Sequence, residues 1–247
     1  MEPQRLDKLL SGTGRWSRRE VKLLVKQGRV LADGRPAPSA DAKYDPETVR
    51  LTVDGETLRL RAHTWVMMNK PAGVLSATED GRGRTVLDLL PPELQKLELF
   101  PVGRLDKDTE GLLLLTDDGQ TAHRLLSPKY HVDKVYFARV EGQVDGEDCR
   151  AFEQGMTLGD GTVCRPAGLK PLPAEHGCLV TLREGRFHQV KRMLAARGKP
   201  VVYLKRLSMG KLPLDPALDP GQFRLLTQAE LAMLTDSFPT ARQMFNF

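Results

Sequence analysis

The chain has no apolar run approaching the roughly 20 residues that cross a bilayer, only three cysteines in 247 residues, and an aromatic fraction of 6%. The first absence argues against a helical membrane protein. The opening MEPQRLDKLL has no apolar signal core either, so export is not expected. Cys149, Cys164 and Cys178 are odd in number and widely spaced. They fit neither a disulfide framework nor a zinc ribbon and read as reduced thiols of a cytoplasmic protein. HExxH, a Walker loop and a dinucleotide fingerprint are all missing, which leaves metal, ATP and NAD chemistry without an evident seat. His63, His123, His131, His176 and His188 lack ligand spacing, so no metal is assigned to them. There is no internal repeat and no low-complexity tail.

What is present is a composition of 40% hydrophobic and 28% charged residues, that of a soluble globular protein. The length allows one large domain or two unequal ones. Charge is placed unevenly. Residues 1–61 hold 13 Lys/Arg against 9 Asp/Glu, and the remaining residues hold 24 against 23. The excess positive charge therefore sits in the first quarter, as expected of a small polyanion-binding module ahead of a larger domain.

Within that quarter, Ser17-Arg18-Arg19-Glu20 spells a capping box, in which the Ser17 hydroxyl and Glu20 carboxylate each satisfy a backbone N–H of the first turn. The predicted helix runs to about Gln27, with Gly28 as its left-handed cap residue. Val21, Leu24 and Val25 share one face, Arg18, Lys22 and Lys26 another, and Leu23 falls off the apolar stripe. Arg29–Ala32 reads as a strand entering the turn Asp33-Gly34. Val49, Leu51 and Val53 alternate ahead of a second turn at Asp54-Gly55. Together RLDKLL and SRREVKLLVKQGRVLADGRP resemble the RNA-binding module first described in ribosomal protein S-four, over about residues 3–60, which implies such a domain at residues 1–60. The resemblance implies that Arg5, Lys8, Arg15, Arg18, Arg19 and Lys22 meet RNA phosphates, a salt-sensitive contact that does not read sequence.

A short linker is expected at residues 61–64 and a second domain at 65–247. Val66–Met68 reads as a buried strand, Lys70-Pro71-Ala72-Gly73 as a turn, and Glu79–Arg84 as a loop carrying two arginines. Thr85–Leu90 is expected to be a short helix stopped by Pro91-Pro92. Further strands are expected at Lys134–Val140, Cys178–Arg183 and Pro200–Leu207. Helices are expected near Gln120–Leu126, Glu147–Gln154, His188–Ala196 and Thr227–Leu234. Strands and helices mix without regular βαβ alternation, which predicts an α+β fold with a mixed, mainly antiparallel sheet.

The densest signal is GRLDKDTEGLLLLTDDG, residues 103–119. It places the Asp106 carboxylate in a polar turn ahead of the apolar run Leu112–Leu115, with Gly103 allowing a close backbone approach. Two other pieces accompany it. In Lys134-Val135-Tyr136, period-two spacing puts Lys134 and Tyr136 on one side of a strand. In EGRFHQVKRM, residues 184–193, Lys191 and Arg192 fall at the start of a helix, where cations oppose the helix dipole and favour a nearby anion.

In order and type these pieces, with NKPAGVLSAT and LDPGQFRLLT, resemble the pseudouridine synthases of the branch that modifies small-subunit ribosomal RNA. The resemblance implies that Asp106 is the catalytic carboxylate, Tyr136 the aromatic stacked on the target uracil, and Lys191 the cation paired with Asp106, with Arg192 as the alternative one residue on. Arg104, Arg192 and Lys134 are implied as substrate contacts. RFHQVKRM is closer to the small-subunit branch than to the arginine-rich pattern of the large-subunit one. The implied partner is ribosomal RNA, in a small-subunit assembly intermediate, met by a monomeric cytoplasmic protein that touches no membrane. The reaction breaks the N1–C1′ bond of a uridine, turns the base and joins C5 to C1′. No atom leaves and nothing is oxidised, so no cofactor is expected. A carboxylate can attack or can stabilise charge developing on the ribose, and a neighbouring cation favours its charged form. The competing expectations are the same reaction on large-subunit RNA, and a non-catalytic RNA-binding assembly factor.

Overall fold

The structure, a computed structural model, describes residues 3–46, 48–58, 63–81 and 83–236. Residues 61 and 62 of the expected linker, and Arg82 of the expected two-arginine loop, lie outside the described residues. The chain divides into two compact units, Met1–Thr64 with Leu90–Leu99, and Trp65–Leu89 with Phe100–Phe247.

In the first unit, helices α1 (Leu6–Ser11) and α2 (Arg18–Lys26) pack with a four-stranded sheet of β1 (Val30–Ala32), β2 (Arg35–Pro36), β3 (Leu51–Val53) and β4 (Glu56–Thr57), in the order β2-β1-β3-β4. Leu6, Leu10, Val21, Leu24, Val30, Leu51 and Val53 fill the space between them. The capping box at Ser17 and Glu20 forms in both directions. Gly28 turns left-handed at φ +70°, letting the Arg29 N–H return to the Leu24 carbonyl at 3.0 Å. Leu23 stays 53% exposed, as its place off the stripe predicts. Asp33 and Gly34, like Asp54 and Gly55, both have positive φ, the paired left-handed geometry that matches strand twist in a two-residue hairpin.

Sequence reasoning misplaced one boundary. Leu87–Leu89 is a single 3₁₀ turn rather than the expected helix, and Pro91-Pro92 opens the helix α3 (Pro92–Gln95) rather than merely ending one. A proline in the first helical turn lacks only an N–H that would have had no partner there.

The second unit is built on a sheet whose main path joins β5 (Trp65–Lys70), β6 (Glu110–Thr116), β7 (Lys134–Val140), β8 (Gly168–Leu172), β9 (Gly177–Leu182), β10 (Val201–Met209) and β11 (Phe223–Leu225) in the order β8-β9-β7-β10-β6-β5-β11. Every neighbouring pair on that path is antiparallel except β6 with β10. With helices α4 (Gly119–Leu126), α5 (Gly146–Gln154), α6 (Gln189–Ala196) and α7 (Gln228–Thr235), this is the α+β architecture with a mainly antiparallel sheet expected from the sequence.

The central strands β5 and β6 are buried along nearly their whole length. That explains WVMMNK and GLLLLT: a strand covered on both faces needs no alternation. Met67, Leu112 and Leu114 join Ala122 and Leu125 of α4 and Leu234 of α7 in one core. By contrast β7 alternates, burying Lys134, Tyr136, Ala138 and Val140 on one face. The parallel join of β6 to β10 depends on Gly111. A Cβ there would lie 2.2 Å from the Arg206 carbonyl oxygen, and the residue sits at φ +101°.

Candidate active site

The loop 103–109 between Val102 and β6 carries Asp106 and is fastened from beneath by the segment that follows β5. Ser76 Oγ donates to the Leu105 carbonyl at 3.0 Å and accepts from the Leu105 N–H at 3.1 Å. The Gly73 N–H reaches the Lys107 carbonyl at 2.7 Å, and the Thr109 N–H closes a turn on the Asp106 carbonyl at 3.0 Å.

The strongest fastening is Lys70. Its buried ammonium lies among four carbonyls, those of Pro71 (2.9 Å), Thr109 (2.9 Å), Asp106 (3.2 Å) and Lys107 (3.3 Å). Burial pushes Lys70 down to about 8, opposed by the nearby carboxylates of Asp108, Asp106 and Glu110. This explains NKPAGVLS physically: the motif is the bed on which the aspartate loop lies. Sequence reasoning read Lys70 as part of a turn and missed the role, because Lys-Pro-Ala-Gly is also what an exposed turn looks like.

Above the loop, the N-terminal end of α6 brings two nitrogens to the carboxylate. Lys191 Nζ lies 3.5 Å from Asp106 Oδ2, and His188 Nε2 lies 3.5 Å from Asp106 Oδ1. Lys191 also reaches Asp108 Oδ1 at 2.5 Å, and that contact holds the Asp108 carboxyl below its ordinary range. The ammonium is thus held between two carboxylates, with the closer contact to the more exposed one. Of the two alternatives left open by sequence, Lys191 faces Asp106. Arg192 turns away to Asp160 at 2.5 Å, to the Phe187 carbonyl and to Thr162. The helix begins at Gln189, so these cations occupy its third and fourth positions rather than its first.

A buried carboxylate shapes the turn ahead of α6. Glu184 accepts from Gln189 Nε2 at 2.7 Å, from the Arg165 N–H at 2.9 Å and from Arg186 Nε at 3.2 Å, while Gln189 Oε1 accepts from the Arg186 N–H at 3.0 Å. His188 then enters the helix in the left-handed region, at φ +48°. His188 was missed by spacing arguments, which test histidines against each other for metal binding and not against a carboxylate 82 positions earlier.

Tyr136 sits on the buried face of β7, 9% exposed, opposite Val180 and Arg206. Arg206 in turn lies opposite Gly111, five residues after Asp106. Tyr136 is therefore two strand spacings, about 10 Å, from the start of the strand that leaves the aspartate loop. Arg206 is a second buried cation that sequence reasoning missed; its Nε donates to the Leu112 carbonyl at 2.7 Å.

Lys134, expected to contact substrate, has its ammonium turned to the backbone. It is 5% exposed with Nζ on the Val132 carbonyl at 3.0 Å, and burial together with Arg206 pushes it down to about 8. It belongs to the interior of the sheet. Arg104 is exposed and makes no hydrogen bond or ion pair among the described residues.

The six cations expected to meet RNA fall into two groups. Arg5 is held by Asp7 at 2.8 Å and by Asp41, and Arg15 forks onto Glu56 at 2.8 and 2.7 Å with its guanidinium over Trp16. Arg18 has a loose contact to Glu98 at 3.7 Å. The side chains of Lys8, Arg19 and Lys22 have no hydrogen-bond or ion-pair partner among the described residues. Among those residues no group of His, Cys, Asp or Glu could hold a metal ion, and no helix is long and apolar enough to cross a membrane.

Comparison with known proteins gives the family of the chain. A family profile for RNA pseudouridylate synthase matches residues 64–196. An uncharacterized RNA pseudouridine synthase of Bacillus subtilis, YtzG, is 52% identical over 94% of this chain and 98% of its own length. Ribosomal small subunit pseudouridine synthase A of Vibrio cholerae is 39% identical over 93% of this chain and 99% of its own. A crystal structure of a pseudouridylate synthase superposes with a TM-score of 0.66 at 34% identity, covering 94% of this chain and 99% of that one.

Proposed function

Because this chain belongs to the RNA pseudouridylate synthase family, we propose that it isomerises a specific uridine of small-subunit ribosomal RNA, with Asp106 as the catalytic carboxylate. The observation that carries the role is one carboxylate flanked at 3.5 Å by both an ammonium and an imidazole, on a loop whose backbone is fixed by a buried lysine. Electrostatic stabilisation works best from groups already in place, because nothing need reorganise as charge develops.

In this reading the target uridine leaves its stack, at a cost of a few kcal/mol, and enters beside Asp106. The carboxylate attacks, or stabilises positive charge while the N1–C1′ bond breaks. Tyr136 supplies a flat surface for the freed uracil as it turns; C5 joins C1′ and then gives up its proton, while N1, left without its sugar, takes one up, so the product is an isomer of the substrate. Lys191 and His188 hold the carboxylate in place. The first unit, with its resemblance to the S-four module, grips RNA phosphates through Lys8, Arg19 and Lys22, while Arg5 and Arg15 hold its own acidic residues. Assignment to small-subunit RNA rests on RFHQVKRM and on the named relative from Vibrio cholerae. The proposed substrate is an assembly intermediate, met by a monomer.

Carbodiimide mapping of both ribosomal RNAs, from a deletion strain with and without the gene restored, tests the substrate. One small-subunit site should vanish and return. A site that vanishes from large-subunit RNA instead would overturn the assignment while leaving the chemistry intact.

A further inference from the structure

Phe187 is 74% exposed, the most exposed of the large hydrophobic side chains among the described residues. A single exposed apolar residue is ordinary, but the surroundings of this one are not. Its ring stacks on the imidazole of His188, with centroids 3.8 Å apart and planes within 17°. The same imidazole places Nε2 3.5 Å from Asp106. The turn that presents the pair is fixed by the Glu184–Gln189 hydrogen bonds and by the left-handed backbone at His188. Phe187 also lines an open depression of about 500 Å³, together with Leu158, Ala195, Ala196, Asp160 and Arg192. One face of the ring is covered by His188, and the high exposure leaves the other to solvent.

We propose that Phe187 is a stacking platform for a base flanking the target uridine, with the depression beside it as that base's subsite. The inference rests on the proposed RNA reaction at Asp106 and adds to it the part of the substrate next to the reacting nucleoside. Three features select a nucleobase over another apolar group. The platform is a flat aromatic surface one residue from the imidazole that touches the carboxylate, so it borders the reaction centre. The depression is lined by the apolar side chains of Leu158, Ala195 and Ala196 together with the polar groups of Asp160 and Arg192, a mixture that suits a base with its flat faces and polar edge. A base extruded from a stack also leaves a neighbour with one face uncovered, and a rigid ring replaces the lost stacking partner. Stacking of this kind tolerates any base, so Phe187 sets affinity more than sequence preference.

The test uses full-length protein carrying Asp106→Asn and a short RNA around the mapped uridine, so that binding is read apart from chemistry. Phe187→Ala in that background should weaken Kd by roughly ten-fold or more, and Phe187→Trp should restore it. An abasic nucleotide at one flanking position should weaken binding by a similar factor when Phe187 is present and have no further effect when it is Ala. 2-Aminopurine at that position should be quenched by Phe187 and by Trp, and not by Ala. In protein with Asp106 intact, Phe187→Ala should raise KM and leave kcat within about two-fold. Equal Kd for the Phe and Ala proteins, or abasic and Ala effects that multiply independently, would overturn the platform. Failure of the protein with Asp106 intact to make pseudouridine would instead overturn the proposed reaction, and the two outcomes are read in separate assays.

Discussion

The charges of the first unit and those around Asp106 use the same residue types to opposite ends. In the first unit the ion pairs Arg5–Asp41, Arg15–Glu56 and Arg29–Asp54 sit at the surface, and exposed pairs of this kind contribute little to stability because water and salt screen them. Around Asp106 a fully buried ammonium holds four carbonyls, and a second, largely buried one is shared by two carboxylates. A cation at the surface can be spent on a phosphate. A cation beneath a loop fixes geometry, and its loss leaves desolvated carbonyls behind.

The largest effect should come from Lys70→Met. It strips the donor from the Asp106, Lys107 and Thr109 carbonyls, with an expected cost of roughly 3 kcal/mol to the second unit and loss of most turnover. Denaturation followed by Trp65 fluorescence, together with kcat, checks this. RNA affinity owed to the first unit should persist, and a variant with wild-type stability and kcat would contradict the clamp.

Next in size is the contrast between neighbours. Lys191→Ala should lower kcat about 100-fold, whereas Arg192→Ala, whose guanidinium faces Asp160, should act mainly on RNA affinity. Equal kcat losses would break the distinction. Smaller again is the phosphate grip. Each of Lys8→Ala, Arg19→Ala and Lys22→Ala should reduce the salt slope of RNA binding by about 0.7–0.9, and Arg15→Ala should leave it unchanged.

The smallest effect is one of pH. Arg5 holds the Asp7 carboxyl below its ordinary value of 3.8. A lowered carboxylate contributes stability that is present above the unfolded value and lost as pH falls through the folded one. Arg5→Ala should therefore cost stability at neutral pH and flatten the decline of Tm below pH 4, with no change in salt slope. An unaltered acid limb would mean that the pair does no structural work.

Local signals were legible in the sequence. The capping box at Ser17, the Asp-Gly turns at residues 33–34 and 54–55, and the alternation of Lys134–Val140 each depend on neighbours within a few positions, and all formed. What stayed hidden depends on partners far along the chain. Arg15 meets Glu56 across 41 positions, Lys70 meets Thr109 across 39, and His188 meets Asp106 across 82. Residue type also misled where burial reversed its usual meaning. Lys134 read as a substrate contact and Lys70 as part of a turn, yet both are buried, because a lysine whose ammonium finds backbone carbonyls can be enclosed. Pro91-Pro92 misled differently, since proline ends one helix and begins another with equal ease.

The central claim is that Asp106 performs the reaction on a loop the rest of the unit holds in place. Its most direct test is pseudouridine formation by Asp106→Asn on the mapped RNA, measured beside the Kd for the same RNA. The variant should bind within about three-fold of the unsubstituted protein, as expected when only the differential stabilisation of the transition state is removed, and form no product. Product at an undiminished rate would contradict the account.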